Sequence, residues 1–306
     1  LDWDSSTGMP EKSSPFRGEV EGYLTGLYFE RSIGPVIQEA LAYFETRPEE
    51  LSELGKLVFE KVKEEYALNK NVPAERMQEY VKVLNQAHTD WLKARAAQDF
   101  GLLEETLTKV VAFQKEFIPY WQKEEKTPYD VLLNQFEPGM TVEKLDQVFD
   151  QVKQGIQEIR TVLAEKGTPP RTDFLSRKMT KEQQRRFVIG VVEQLGYDFS
   201  KGRLDDTVHP FMTALNRNDA RITTRWEENN FSMATFGVIH EAGHGMYEQN
   251  FDPKFDFTPL SEGASMGIHE SQSLFNEIII GSNRAFWQKQ YPFFQECAEG
   301  TFDDIA

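Results

Sequence analysis

Between residues 18 and 166, apolar side chains recur three and four positions apart with charged residues between them, the period of helices that each bury one face. The clearest stripe starts at Pro73, a favoured first helical residue, and runs through Met77, Tyr80, Leu84, Ala87 and Trp91. His88 flanks it with no other ligand-type residue at useful spacing, which predicts a core or boundary histidine. The pattern breaks at Arg47-Pro48, from 69 to 73, at Thr127-Pro128, at Glu137-Pro138-Gly139 and from 167 to 170, which predicts four or five long helices in the first half. Strand patterning is sparse. Residues 220 to 226 are β-branched and alternating, and a weaker signal lies near Phe255 and Phe257. With no repeat, low-complexity tract or Gly/Ser linker, the reading is a single, mainly α domain over 1–306, with a helical first half (1–170) and a second half (171–306) that holds a small β element around residues 219–226.

Composition narrows the partners. At 39 % hydrophobic and 12 % aromatic, the chain is too apolar for disorder. Its formal charge of -16, from 34 basic against 50 acidic residues, argues against nucleic acid, because coating phosphate requires an excess of Lys and Arg. No run approaches the ~18 apolar residues of a membrane span, so no membrane partner is expected. The single cysteine, Cys297, cannot form an intrachain disulfide and is read as a small packed side chain; the absence of a secretory leader adds to an expected cytoplasmic location. Leu1 in the place of Met and an abrupt end at Ala306 read as a fragment of a longer chain.

Four of the five histidines, His209, His240, His244 and His269, fall within 61 residues. At their centre His240-Glu241-Ala242-Gly243-His244 is an H-E-x-x-H on a segment that reads as helix from Ser232, an N-cap type, to Asn250, a C-terminal cap type. Residues four apart share a helix face, so both imidazoles can meet one Zn²⁺. Glu241 points about 100° round the helix, unable to join the same coordination sphere but able to take a proton from water at the metal. Gly243 and Gly245 each cost about 1 kcal/mol relative to Ala inside a helix, which makes sense where a metal, a substrate or another backbone approaches closely. The extended pattern ending in a third histidine fails, because Tyr247 and Asn250 occupy its Gly and His positions. Two carboxylates compete to be the third ligand, Glu262 and Glu270. Glu270 is favoured because it opens an apolar-periodic segment and a helix holds a ligand better than a loop; Glu262, Glu248 and Glu277 are then solvated or supporting carboxylates.

Upstream, residues 220 to 226 are the one good candidate for a strand whose free edge pairs with an extended peptide. Arg221 and Arg225 alternate onto one side of it, where they either clamp a carboxylate or close salt bridges such as one with Asp219. His209, before Pro210, is a substrate donor or a turn residue.

His209-Pro210-Phe211, Asp219-Ala220-Arg221-Ile222-Thr223, the H-E-x-x-H and His269-Glu270-Ser271-Gln272, in this order and spacing, resemble the carboxypeptidase Taq family of thermostable zinc carboxypeptidases. Trp3-Asp4-Ser5, Thr7 to Pro10, Pro128-Tyr129-Asp130 and Phe136-Glu137-Pro138-Gly139 extend the match over essentially the whole chain. The resemblance implies a saddle-like helical zincin fold with a deep groove, homodimers, one Zn²⁺ per chain (Co²⁺ or another divalent ion serving in its place), and broad-specificity release of single residues from peptides with a free C-terminal carboxylate. It implies His240, His244 and Glu270 as metal ligands and Glu241 as general base. Separately from the resemblance, substrate contacts are expected from His209, Arg221, Arg225 and His269. The family is expected to start before Leu1 and to continue beyond residue 306, with an Arg-containing motif for the substrate carboxylate and a further His-containing motif. The rival readings are an endo-acting zinc oligopeptidase and a non-catalytic metal-binding helical module.

Overall fold

A computed structural model describes residues 1–305. By contacts the chain divides into two compact units, one of residues Leu1–Gln135 with Thr258–Leu260, the other of Phe136–Phe257 with Ser261–Ala306.

The first unit is built of helices α1 (Asp2–Thr7), α2 (Ser14–Ser32), α3 (Pro35–Glu45), α4 (Glu53–Asn69), α5 (Ala74–Ala97), α6 (Gly101–Trp121) and α7, which starts at Pro128 and ends at Phe136. The predicted breaks are present, with Pro73 capping α5 from just outside the helix. Two further breaks were not legible in the pattern: Gly34-Pro35 starts α3, and Gln98 closes α5 in a left-handed conformation (φ 53°) that usually selects glycine. The core gathers Phe29, Val72, Phe113, Phe117, Trp121 and Val131, with Met77 and Tyr80 of the predicted stripe packed against it. Further along that stripe Leu84 is exposed, and His88 sits at the surface with its ring centroid 5.9 Å from that of Trp91 rather than in the core.

The second unit contains α8 (Val142–Lys166), α9 (Lys181–Leu195), strands β1 (Leu204–Asp206), β2 (Met212–Asn216) and β3 (Asp219–Thr224), α10 (Phe231–Gln249), α11 (Met266–Leu274), a π-helical segment (Phe275–Gly281) and α12 (Arg284–Ala298). The strand predicted at 220 to 226 is β3, but it is not an edge. The sheet order is β1-β3-β2, with Ile222 opposite Leu204 in the parallel pair and opposite Met212 in the antiparallel pair, so both flanks of β3 are already hydrogen-bonded. The open edges belong to β1 and β2. The weaker strand signal also fails: Asp252 caps Lys254 N–H and Pro253 starts a 3-10 turn, Pro253–Phe255, where neither residue favours a ladder.

Alternation along β3 sends Ala220 and Ile222 into the core. Ile222 there shares a core with Val238, Ile239 and Ala242 of α10, Phe187, Val188, Val191 and Val192 of α9, and Phe294 and Cys297 of α12. Burial pushes the Cys297 thiol up, and it is a packed side chain as expected. Phe211 and Thr223 are tied three times, Phe211 N–H donating to Thr223 Oγ1 (2.8 Å) and both Thr223 N–H (3.0 Å) and Thr223 Oγ1 (2.8 Å) donating to the Phe211 carbonyl, so the 209–211 and 219–223 motifs form one structural unit. α10 is thus held from several sides, by β3, α9, α11 and the π segment.

Candidate metal centre

α10 begins at Phe231 with Asn230 rather than Ser232 as its N-cap and ends at Gln249 with Asn250 as its C-cap, within two residues of the pattern. Its two glycines have different reasons. A Cβ on Gly243 would lie 2.7 Å from the Gln272 carbonyl oxygen and from Ser273 Cα, so its absence lets the backbones of α10 and α11 touch. A Cβ on Gly245 would strike the buried ring of Tyr197 at 2.7 Å, whose hydroxyl donates to the Ala220 carbonyl (2.6 Å). Another backbone at Gly243 is one of the three causes expected from the sequence.

That contact brings Glu270, on α11, over the histidine pair. Glu270 Oε2 lies 3.7 Å from His240 Nε2 and 3.2 Å from His244 Nε2. One potential ligand atom from each of these three residues falls within 4.8 Å of the others, and no other such group occurs among the described residues. Bonds of about 2.0–2.1 Å in a tetrahedral site put donor atoms about 3.3 Å apart, so this spacing suits one Zn²⁺-sized ion. Glu262 is not in the cluster. It lines a cavity of about 700 Å³ beside β2, with Met212, Leu215, Arg217, Glu248 and Phe257.

The outer nitrogens of the cluster are all engaged. His240 Nδ1 is 2.8 Å from Glu277 Oε2, on the π segment. His244 Nδ1 is 2.7 Å from His269 Nδ1, and His269 Nε2 is 2.9 Å from Glu248 Oε1. Burial, reinforced by the neighbouring His269 and His240, lowers the His244 pKa to about 4, so the ring is neutral at pH 7, the form that coordinates metal. Glu241 is buried at 7 % exposure. Burial pushes its pKa up to about 7, with His240 opposing and the carboxylates of Glu270 and Glu277 adding to the rise.

The remaining expected contacts lie elsewhere. Arg221 donates Nε and an Nη to the two oxygens of Asp219, both at 2.7 Å. Arg225 lies beyond the end of β3 and pairs with Glu227 at 2.9 Å. Both guanidiniums are therefore in the salt bridges that were the alternative to substrate binding. His209 is exposed in the β1–β2 loop. His269 has both ring nitrogens inside the cluster.

One residue of the site was not anticipated. Glu137 accepts from Ser265 Oγ (3.0 Å) and from Gly267 N–H (2.9 Å), placing a carboxylate at the N-terminus of α11, where the helix dipole favours it. In sequence it stands only in a Glu-Pro-Gly turn within a segment of the family resemblance, about 130 residues away, with no sign of what its carboxylate meets. Glu137→Ala is expected to cost about 1 kcal/mol of stability from the lost cap, read by urea unfolding, and to weaken metal binding by loosening the helix that carries Glu270. An unchanged metal affinity would limit Glu137 to a purely local role.

A mainly helical chain with an H-E-x-x-H helix, a facing glutamate and a three-stranded sheet beneath defines an H-E-x-x-H metallopeptidase-like class. A family model described as carboxypeptidase Taq (M32) metallopeptidase matches residues 1–306, and the chain belongs to that family. It is 44 % identical over 306 residues to carboxypeptidase 1 of Bacillus subtilis strain 168, covering 100 % of this chain and 61 % of the relative. Against thermostable carboxypeptidase 1 of Thermus thermophilus it is 32 % identical over 305 residues, covering 96 % and 60 %. The crystal structure of M32 carboxypeptidase from Deinococcus radiodurans R1 superposes with a TM-score of 0.90 at 33 % identity, covering 100 % of this chain and 61 % of that one. The chain thus spans about three fifths of the length of these relatives.

Proposed function

We propose that this chain carries the catalytic centre of a zinc carboxypeptidase that releases single residues from peptide C-termini, with His240, His244 and Glu270 as ligands. The observation that carries this reading is the convergence of two imidazole Nε2 atoms on Glu270 Oε2, with Glu241 buried on the same helix. Bound Zn²⁺, or another divalent ion in its place, would supply a Lewis acid for the scissile carbonyl and lower the pKa of water. Glu241 accepts the proton of the attacking water and returns it to the leaving amine, a role suited to a carboxyl poised near neutral pH. An extended peptide is held by backbone pairing along the open edge of β2, which takes the place first expected of β3 and borders the cavity. His209, exposed in the loop that leads into β2, is a substrate-side candidate, and Arg221 and Arg225 pair with Asp219 and Glu227. The family resemblance supports a homodimer and the lone buried cysteine a cytoplasmic setting.

The test incubates the full-length protein with a short peptide, free or amidated at its C-terminus, and follows the products by mass. Stepwise loss of single residues from the free peptide alone is expected. Internal cleavage of both would favour an endo-acting oligopeptidase, and no cleavage with stoichiometric metal bound would favour a non-catalytic module.

A further inference from the structure

We infer that His269 is a positioning residue, the middle member of a Glu248–His269–His244 relay that fixes the tautomer and rotation of His244, while Glu277 does the same for His240 directly. This rests on the metal reading above.

The relay has one consistent proton arrangement. With the Nε2 lone pair of His244 given to the metal beside Glu270, the hydrogen of its neutral ring is on Nδ1 and is donated across 2.7 Å to His269 Nδ1. His269 Nδ1 is then an acceptor, so the hydrogen of that neutral ring sits on Nε2 and is donated to Glu248 Oε1 at 2.9 Å. Glu248 is 8 % exposed, on the same helix as His244 and one turn further on. The ring of Tyr247 stands edge-on to His269, with centroids 5.1 Å apart, and limits its rotation. His240 needs no intermediary, because Glu277 Oε2 reaches its Nδ1 at 2.8 Å. The two histidines are thus held by different means, a carboxylate directly and a carboxylate through a neutral ring. Outer partners of this kind commonly contribute 10- to 100-fold, as an order of magnitude, to metal affinity.

The test compares His269→Leu with His269→Gln in the full chain, measuring Zn²⁺ affinity by chelator competition and the visible spectrum of the Co²⁺-loaded protein, with thermal unfolding of the metal-free protein as a fold control. The Gln amide preserves the order of the relay, its oxygen accepting from His244 and its nitrogen donating to Glu248. His269→Leu is expected to weaken Zn²⁺ binding by about 10- to 100-fold and change the Co²⁺ spectrum, and His269→Gln to restore most of both. Parent-like affinity in His269→Leu, or a His269→Gln no better than it at matched thermal stability, overturns the relay. A parent chain that binds no stoichiometric metal overturns the metal reading itself, and the relay with it.

Discussion

Glu241→Gln in the full-length protein is expected to retain metal at parent stoichiometry and to lose peptidase activity by about 10²- to 10⁴-fold, the range associated with a positioned general base. The amide has the shape of the acid and occupies the same buried place, but it cannot take a proton. Because burial holds the parent carboxyl near 7, removing its ionisation also relieves a desolvation cost. The substitution should therefore leave stability unchanged or raise it slightly. Metal content by atomic emission, kcat on an unblocked peptide and the unfolding midpoint give the three readings. Parent-like kcat would remove Glu241 from the chemistry, and loss of metal would place it among the ligands instead.

Gly243→Ala is the second large effect. In a helix interior the exchange alone would gain about 1 kcal/mol. Here the new methyl meets the backbone of α11 at 2.7 Å, and backbone cannot rotate away. Overpacking of about 1–3 kcal/mol outweighs the gain, and α11 relieves it by moving outward with Glu270. A net loss of stability and at least about a tenfold loss of Zn²⁺ affinity are expected, within the range for disturbed ligand placement. Gly237→Ala supplies the contrast on the same helix. Its Cβ would find nothing closer than Thr224 Oγ1 at 3.9 Å, so the propensity gain should appear in full with metal binding unaltered. Equal behaviour of the two variants in unfolding and chelator titrations would refute the close-contact account of Gly243.

What the sequence disclosed here depended on spacing along one element. The H-E-x-x-H pair is a four-residue relation on a helix, and the preference for Glu270 over Glu262 needed only the periodic run that follows it; the structure places Glu270, and not Glu262, beside the pair. Relations across the chain were hidden. Glu137 meets α11 from about 130 residues away, and nothing in an Glu-Pro-Gly turn says what its carboxylate caps. The alternation of 220 to 226 revealed a strand but not its place in the sheet, because β1 is three residues long and acidic, a poor strand signal in its own right. Nor does any spacing announce that His244 and Glu248 meet the two ring nitrogens of His269.

The π-helical stretch Phe275–Gly281 has a consequence for how this chain can vary. A π turn is wider than an α turn and corresponds to one residue inserted into an α-helix. Glu277 lies within that insertion and reaches His240 from it. Deleting any one residue just ahead of Glu277 would restore ordinary winding and swing its side chain by about 100°. Yet Phe275, Ile278 and Ile279 around it are exposed, and no core packing dictates what they are. Positions 275, 278 and 279 should therefore accept changes of residue type readily while the stretch as a whole refuses changes of length, a pattern that a library mixing substitutions at these positions with single-codon deletions would separate cleanly.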